Sequence, residues 1–149
     1  MNTEKSIDIL NSLVQINNDR IQGYETASKE ADETDLKTLF SHFTETSLKC
    51  KSDLVAEVKR LGGTPTEGTT TSGKLFRVWM DIKSAVTGSD RKAIINSCEY
   101  GEEAALETYD DALTQAEDLS LEQLMMVKEQ HAAIKANYQK IKDLSNHMA

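Results

Sequence analysis

GGTPTEGTTTSG, residues 62–73, is the stretch of sequence that decides the fold. Gly62 and Gly63 can end a preceding helix in a left-handed conformation, and Pro65, the only proline of the chain, prevents that helix from continuing. The Thr/Gly-rich residues predict an exposed connection of about a dozen residues, which is long enough to run along a helical bundle. The helices on either side are therefore expected to lie parallel, as in bundles with one long crossover.

Two helices are predicted before this connection. Helix A, about residues 4–31, shows apolar side chains at three- and four-residue steps, which form one stripe: Leu10, Leu13, Ile21, Tyr24 and Ala27. Helix B, about residues 35–61, repeats the pattern with Leu36, Leu39, Phe43, Cys50, Leu54 and Leu61. The acidic turn DETD at residues 32–35 is short, so A and B are expected to form an antiparallel hairpin.

Two more helices are predicted after the connection. Helix C, about residues 74–116, is expected in two pieces with a break near Gly88, and its later stripe is Ile94, Cys98, Glu102, Ala105, Tyr109 and Ala112. Ser120 followed by Gln123 is a capping-box signal for helix D, about residues 120–146, whose stripe is Leu124, Val127, His131, Ile134, Tyr138 and Ile141. The sequence thus predicts an all-α, up-down four-helix bundle with a long B-to-C crossover, as a single domain over residues 1–149.

Charge and hydropathy exclude several classes of protein. The formal net charge of −8 repels a nucleic-acid backbone, and no dense run of Lys or Arg offsets it. No segment approaches the roughly twenty apolar residues of a membrane span, and the polar N-terminus MNTEKSIDIL lacks the apolar stretch of a signal peptide, so we expect a cytoplasmic protein. Cys50 and Cys98 lie in helical segments without a CxxC pattern, which favours reduced, buried thiols.

Polar residues that interrupt the apolar stripes are the candidate functional residues, because burying one without a partner costs roughly 1–3 kcal/mol. Four such residues are Asn17, Ser47, Glu102 and His131. Asn17 precedes Tyr24 by seven residues, and Glu102 precedes Tyr109 by seven, so the two hairpins repeat one polar-to-tyrosine step. Among these residues, Glu102 and His131 are expected either to form a structural polar cluster or to bind a metal.

With these features the chain resembles the ferritin-like superfamily. In that superfamily, helices A and C each supply a carboxylate, and helices B and D each supply Glu-x-x-His, to two iron or manganese ions. The resemblance puts the six ligand positions at Asn17, Ser47, Cys50, Glu102, Lys128 and His131. Only Glu102 and His131 suit such a metal, so the resemblance implies a degenerate di-metal site whose six side chains point to one interior region at mid-height.

A narrower resemblance rests on three stretches: LVAEVKRLGGTP, WMDIKSAVTGSDRKAIINSCEYGEEAALETYDDAL and the repeats of helix D. They are similar to a bacterial family of small ferritin-like four-helix bundles, described only as a domain of unknown function. The resemblance covers nearly the whole chain and implies the fold, and it brings no activity with it.

We expect a protein without a cofactor that is not an enzyme and that acts through self-association or protein contacts. The sequence contains no recognisable nucleophile–base arrangement and no sign of an oxyanion hole, which argues against a hydrolase.

A homo-oligomer, most simply a dimer, is expected because the first part of helix C has more apolar residues than one narrow buried stripe needs: Leu75, Phe76, Trp79 and Met80. The alternative is an iron- or manganese-dependent oxidase or iron-handling stress protein that rebuilds its site from Glu102, His131, Cys50 and neighbouring carboxylates. Weak divalent-cation binding by the acidic run Glu99, Glu102, Glu103 and Glu107 is a further possibility.

Overall fold

A computed structural model describes residues 3–68, 84 and 91–147. Within them the chain forms four long α-helices: α1 (Thr3–Glu30), α2 (Thr34–Arg60), α3 (Arg91–Leu113) and α4 (Leu121–His147). A short 3₁₀ turn, Ala116–Asp118, precedes α4, and the described residues contain no strand. The all-α prediction is confirmed. The later part of the crossover, the first piece of helix C and the break near Gly88 lie outside the described residues.

Side-chain contacts between helices fix the direction of each one. Between α1 and α3, Asn17 contacts Tyr109 and Arg20 contacts Glu102, so residue numbers rise in opposite directions. Between α2 and α4, the contacts of Cys50 with Gln130 and of Glu57 with Gln123 show the same antiparallel order. Because α1 and α2 form a hairpin, α2 and α3 run parallel, as a bundle with a long crossover requires.

The helix ends follow the local signals of the sequence. Gly62 has a φ of 83°, and the amide of Gly63 donates to the carbonyl of Val58, which closes the C-terminus of α2. At the start of α4, the amide of Gln123 donates to Ser120 Oγ at 3.1 Å, and the amide of Ser120 donates to Gln123 Oε1 at 2.9 Å. This reciprocal pair is the predicted capping box.

One boundary differs from its prediction. The helix expected to reach about residue 116 ends at Leu113. The amides of Asp118 and Leu119 donate to the carbonyls three residues earlier, at Gln115 and Ala116, so the chain tightens into a 3₁₀ turn before α4 begins.

Among the described residues, the apolar core forms two clusters at opposite ends of the bundle. The first contains the early part of α1, the end of α2, the end of α3 and the first half of α4, with Leu13, Leu54 and Val127 among its members. The second contains the other ends of the same helices, with Phe40 and Ile95 among its members. Buried polar side chains lie between them, and they form the candidate site. None of the helices described is long and apolar enough to cross a membrane.

Candidate functional site at the bundle centre

Arg20 and Glu102 form a fully buried ion pair between α1 and α3, called here the central pair. Arg20 Nε donates to Glu102 Oε2 at 3.0 Å, and Arg20 Nη2 donates to Glu102 Oε1 at 2.6 Å. Both side chains are 0% exposed. Burial alone would lower the pKa of Arg20, but the charge of Glu102 and its hydrogen bonds outweigh burial and raise that pKa above its usual value. Arg20 is therefore a permanently charged group inside the bundle.

Tyr24 lies beside the central pair on α1. Its ring centroid is 5.8 Å from the guanidinium carbon of Arg20, within the range of a cation–π contact. Burial, and then the neighbouring charge of Glu102, raise the pKa of Tyr24 well above its usual value. The phenol therefore stays neutral next to the ion pair.

A second set of buried groups, called here the polar chain, connects all four described helices. Asn17 Nδ2 donates to the hydroxyl of Tyr109 at 2.8 Å, and that hydroxyl donates to Gln130 Oε1 at 2.7 Å. Gln130 Nε2 then donates to the backbone carbonyl of Cys50 at 3.3 Å. Burial raises the pKa of Tyr109, so every side chain of the polar chain is neutral.

Three polar atoms around the centre have no hydrogen-bond partner among the described residues: Asn17 Oδ1, Arg20 Nη1 and Asn137 Nδ2. Asn17 precedes Arg20 by one helical turn on α1, and Asn137 is adjacent in sequence to Tyr138, which contacts Glu103 beside Glu102. The interior therefore keeps an open acceptor and an open donor one turn apart on α1, at the central pair, and a further open donor on α4.

The predicted residues of α2 lie inside the bundle. Ser47 is fully buried and donates to the carbonyl of Phe43 in its own helix at 2.9 Å. Cys50 and Cys98 are both buried and form no disulfide. Burial raises the pKa of both thiols, and the charge of Glu102 raises that of Cys98 further. Neither thiol is thus in an environment that favours a reactive thiolate.

The predicted residues of α4 do not lie inside. Lys128 is exposed, and His131 is at the side of the bundle, where its Nε2 lies 2.8 Å from Asp110 Oδ1. His131 therefore does not meet Glu102, and the expectation that all six positions point to one interior region is wrong for α4. The inward position is Gln130, one residue earlier, because a shift of one residue rotates a side chain by about 100° around a helix.

Two participants escaped the sequence analysis. Arg20 was not among the candidate residues, although it lies three residues after Asn17 and four before Tyr24; in the structure Arg20 is fully buried and Ile21 only half-buried. On α4, the amides Gln123, Gln130 and Asn137 recur every seven residues, and all three are buried. Both signals follow helical periodicity, and the stripes predicted for these two helices include neither Arg20 nor the three amides.

These donors do not fit a di-iron or di-manganese centre. Such a centre needs several carboxylates and imidazoles, whereas the central region offers one carboxylate, amides and a hydroxyl. Both oxygens of that carboxylate already accept hydrogen bonds from Arg20, a cation that would repel a metal. In the part of the chain that the structure describes, no three His, Cys, Asp or Glu side chains are grouped closely enough to hold a metal ion.

A groove of about 290 Å³ opens between α2 and α4 beside the polar chain. Its most buried lining residues are Cys50 and Gln130, and its rim carries charged side chains of both signs, including Lys49, Asp53 and Glu129. The groove reaches the polar chain from outside, and it does not reach Glu102 or Arg20, neither of which lines it.

Comparisons with known proteins agree with this architecture. A family model described as Domain of unknown function (DUF2383) matches residues 5–115. A similar solved structure is that of ferritin-like, diiron-carboxylate proteins from Bacillus anthracis str. Ames, with a TM-score of 0.75 and 18% sequence identity, over 97% of this chain and 99% of that one. No curated protein matches the sequence. At this identity the likeness shows the fold, a ferritin-like four-helix bundle.

Proposed function

The chain belongs to the family described as Domain of unknown function (DUF2383), and from this premise we propose that it is a non-enzymatic ferritin-like bundle with a degenerate di-metal site. It acts through self-association or contacts with other proteins, most simply as a homodimer in the cytoplasm.

The observation that supports this proposal is the state of Glu102. It is the only predicted ligand that combines a suitable donor with an interior position, and Arg20 binds both of its oxygens at 2.6 and 3.0 Å. The polar chain beside it pairs neutral groups with one another. Because these buried polar groups bind one another and stabilise the fold, we expect the function to depend on the outer surface.

The surface of α4 offers a contact site for a second copy. Leu121 is 73% exposed and Met125 is 61% exposed, and their spacing of four residues places them on one face of the helix. Large apolar side chains grouped at the surface are characteristic of protein contacts, although two residues alone form only a small patch. We propose this face as part of the dimer contact.

The first experiment measures metal content and mass on protein purified without chelator. We expect far less than one iron or manganese ion per chain and, by light scattering at tens of micromolar, twice the mass of one chain. About two metal ions per chain would contradict the non-enzymatic proposal, and the mass of a single chain would contradict self-association.

A pair of variants tests the contact face. Leu121→Glu is expected to lower the measured mass toward that of one chain, because it places a charge in the proposed contact. Leu48→Glu is the matched control, since Leu48 is 46% exposed but belongs to α2, and the mass of this variant should stay unchanged. Equal masses for the two variants would argue against the α4 face.

The alternative function is a metal-dependent oxidase or an iron-handling protein using iron or manganese. The observation that favours it is the similarity in fold to proteins described as diiron-carboxylate. This function would require Glu102 to bind a metal ion in place of Arg20, and His131 to break its contact with Asp110. The metal measurement above distinguishes it from the first proposal.

A further inference from the structure

One side of α4, called here the outer face, is exposed along most of the helix. At about 100° per residue, Met125, Glu129, Ala132, Ala136 and Lys140 all lie within about 40° of one direction around the helix axis. All five are exposed, and Met125, which belongs to the contact proposed above, is 61% exposed. The outer face is therefore a continuous strip with a carboxylate toward one end, an ammonium toward the other, and small side chains between them.

The two charges of the outer face are available to a partner. Neither Glu129 nor Lys140 forms an ion pair with another described residue. Lys140 Nζ lies 3.3 Å from Nε2 of the exposed His42 on α2, which supplies no opposite charge. Between the two charges, the small side chains of Ala132 and Ala136 allow a second helix to approach closely, because interaxial distance depends on the side chains at the contact.

The order of residues on the outer face is complementary to its own reverse. The midpoint of Glu129 and Lys140 in the sequence is also the midpoint of Ala133 and Ala136, and it lies close to the middle of α4 (Leu121–His147). A second α4, laid antiparallel about a twofold axis at this midpoint, places each glutamate opposite the lysine of the other copy. The alanines then meet around the axis, and the two helices overlap over their whole length.

Other residues of the same strip agree with the antiparallel direction. Glu122 and His147 share the same midpoint, so the carboxylate of Glu122 lies opposite the imidazole of His147 in the other copy. A parallel pair would place identical residues at the same height, so that Glu129 would face Glu129 and Lys140 would face Lys140. Like charges directly opposite each other are unfavourable, and the antiparallel pair is preferred.

The remaining lysines of α4 do not oppose this arrangement. Lys128, Lys135 and Lys142 recur every seven residues, and they lie about 100–140° around the helix from Glu129. Lys142 Nζ is 5.8 Å from the ring of Tyr138, whose hydroxyl bonds to Glu103 on α3. These cations are therefore directed toward the acidic side chains of their own α3, away from the outer face.

We propose that the partner of the outer face is a second copy of this chain, bound through an antiparallel pair of α4 helices in which Glu129 of each copy contacts Lys140 of the other. The inference rests on the proposed function, because it names the partner and the orientation of the self-association proposed there. Exposed ion pairs are individually weak, so the two symmetric pairs select the orientation, while Met125 and the alanines provide the packed contact.

Charge reversal tests the pairing. Glu129→Lys and Lys140→Glu each place like charges opposite each other twice per dimer, so each should raise the dissociation constant, measured by sedimentation equilibrium, by about tenfold or more. In an equimolar mixture of the two variants, both contacts of a heterodimer again join opposite charges, and dimerisation should return to the wild-type level. If the mixture dissociates as readily as the separate variants, the pairing is wrong.

Two control variants separate this pairing from net charge. Glu25→Lys on α1 and Lys37→Glu on α2 change the net charge by the same amounts, and both residues are exposed outside the outer face. Their dissociation constants should stay within about twofold of the wild type. Equal weakening by the controls would show that net charge governs association, and the proposal would be overturned.

A distance measurement tests the orientation. Glu117→Cys carries a spin label on the exposed turn before α4, while Cys50 and Cys98 are buried and stay unlabelled. Because α4 has 27 residues, an antiparallel pair separates the two labels by about 40 Å or more, whereas a parallel pair brings them within roughly 25 Å. Electron paramagnetic resonance distinguishes these distances in the dimer.

The outcomes for the two proposals are distinguishable. The mass of a single chain for the wild type would contradict self-association, and this inference with it. A wild-type dimer with the labels close together, or one unaffected by charge reversal, would overturn only the antiparallel α4 pair and leave the proposed function standing.

Discussion

Arg20 and Glu102 illustrate how one residue pair decides the chemistry of a bundle interior. Each charge would be strongly destabilising if it were buried alone, and the bidentate geometry is what allows both to remain inside. The cost of breaking this pair should therefore exceed that of any exposed ion pair of the chain, such as Arg60 with Glu57.

Glu102→Gln removes one charge of the pair and leaves Arg20 buried without a counter-ion. We expect it to lower the free energy of unfolding by about 3 kcal/mol in urea titrations. Glu103→Gln is the matched control, since Glu103 is the exposed neighbour and accepts one hydrogen bond from Tyr138; its effect should stay within about 0.5 kcal/mol. Similar losses of unfolding free energy in both variants would show that the ion pair of Arg20 with Glu102 does not stabilise the protein.

Tyr109→Phe removes the hydroxyl that connects Asn17 to Gln130. The variant keeps the ring in the core and leaves Gln130 Oε1 without its donor, so we expect a loss of about 1–3 kcal/mol. Tyr138→Phe removes a hydroxyl that bonds to Glu103 at the surface and should cost less than about 0.5 kcal/mol. Chemical denaturation of both variants checks the difference, and a neutral Tyr109→Phe would show that the polar chain contributes nothing to stability.

The interior position of the candidate residues was predicted correctly on α1, α2 and α3 and wrongly on α4. Asn17, Ser47, Cys50 and Glu102 are all buried, because each interrupts a stripe whose phase is fixed by large apolar neighbours. On α4 the residues next to His131 are Ala, Lys and Gln, so the sequence allows a stripe through either His131 or Gln130. In the structure Gln130 is the buried one. Arg20 escaped because a buried arginine depends on a partner 82 residues away.

At the scale of elements, local signals were more reliable. The two glycines, the proline and the Ser120–Gln123 capping box depend only on neighbouring residues, and each predicted helix end near them is confirmed. The end of α3 was less accurate, since no glycine or proline marks it. Contacts between distant segments, such as the ion pair of Arg91 with Asp35 at the α1–α2 turn, could not be predicted from the spacing of residues in the sequence.

Gly62→Ala tests the end of α2. With a φ of 83°, any residue with a Cβ is strained, while a Cβ built at this position meets no atom within 4 Å, so the cost is purely that of the backbone. We expect a loss of about 1 kcal/mol, measured by urea unfolding. Gly68→Ala is the control: its Cβ would lie 3.8 Å from Thr66 Oγ1 and its φ is not left-handed, so stability should hardly change. If Gly68→Ala lost as much stability as Gly62→Ala, the left-handed conformation of Gly62 would not be the cause of the loss.

At the scale of the whole molecule, a polar layer separates two apolar clusters. The first contains Leu54 and Val127, the second contains Phe40 and Ile141, and Arg20 with Glu102 lies between them. A ferritin-like bundle with metal ions at its centre has a reason to keep such a layer. Here an internal ion pair occupies the layer, and substitution of its two members measures how much the layer contributes to stability.

The combined variant Arg20→Met with Glu102→Leu replaces the central pair by apolar side chains of similar size. Each single substitution should cost about 3–5 kcal/mol, because it leaves the other charge buried and unpaired. In the double variant no charge remains and the clusters can join, so we expect stability equal to the wild type or higher by about 1–4 kcal/mol. Urea unfolding of all four proteins gives the coupling energy directly. If the double variant loses as much as the two single variants together, the pair is not an energetic unit, and the polar layer must be stabilised by its other members.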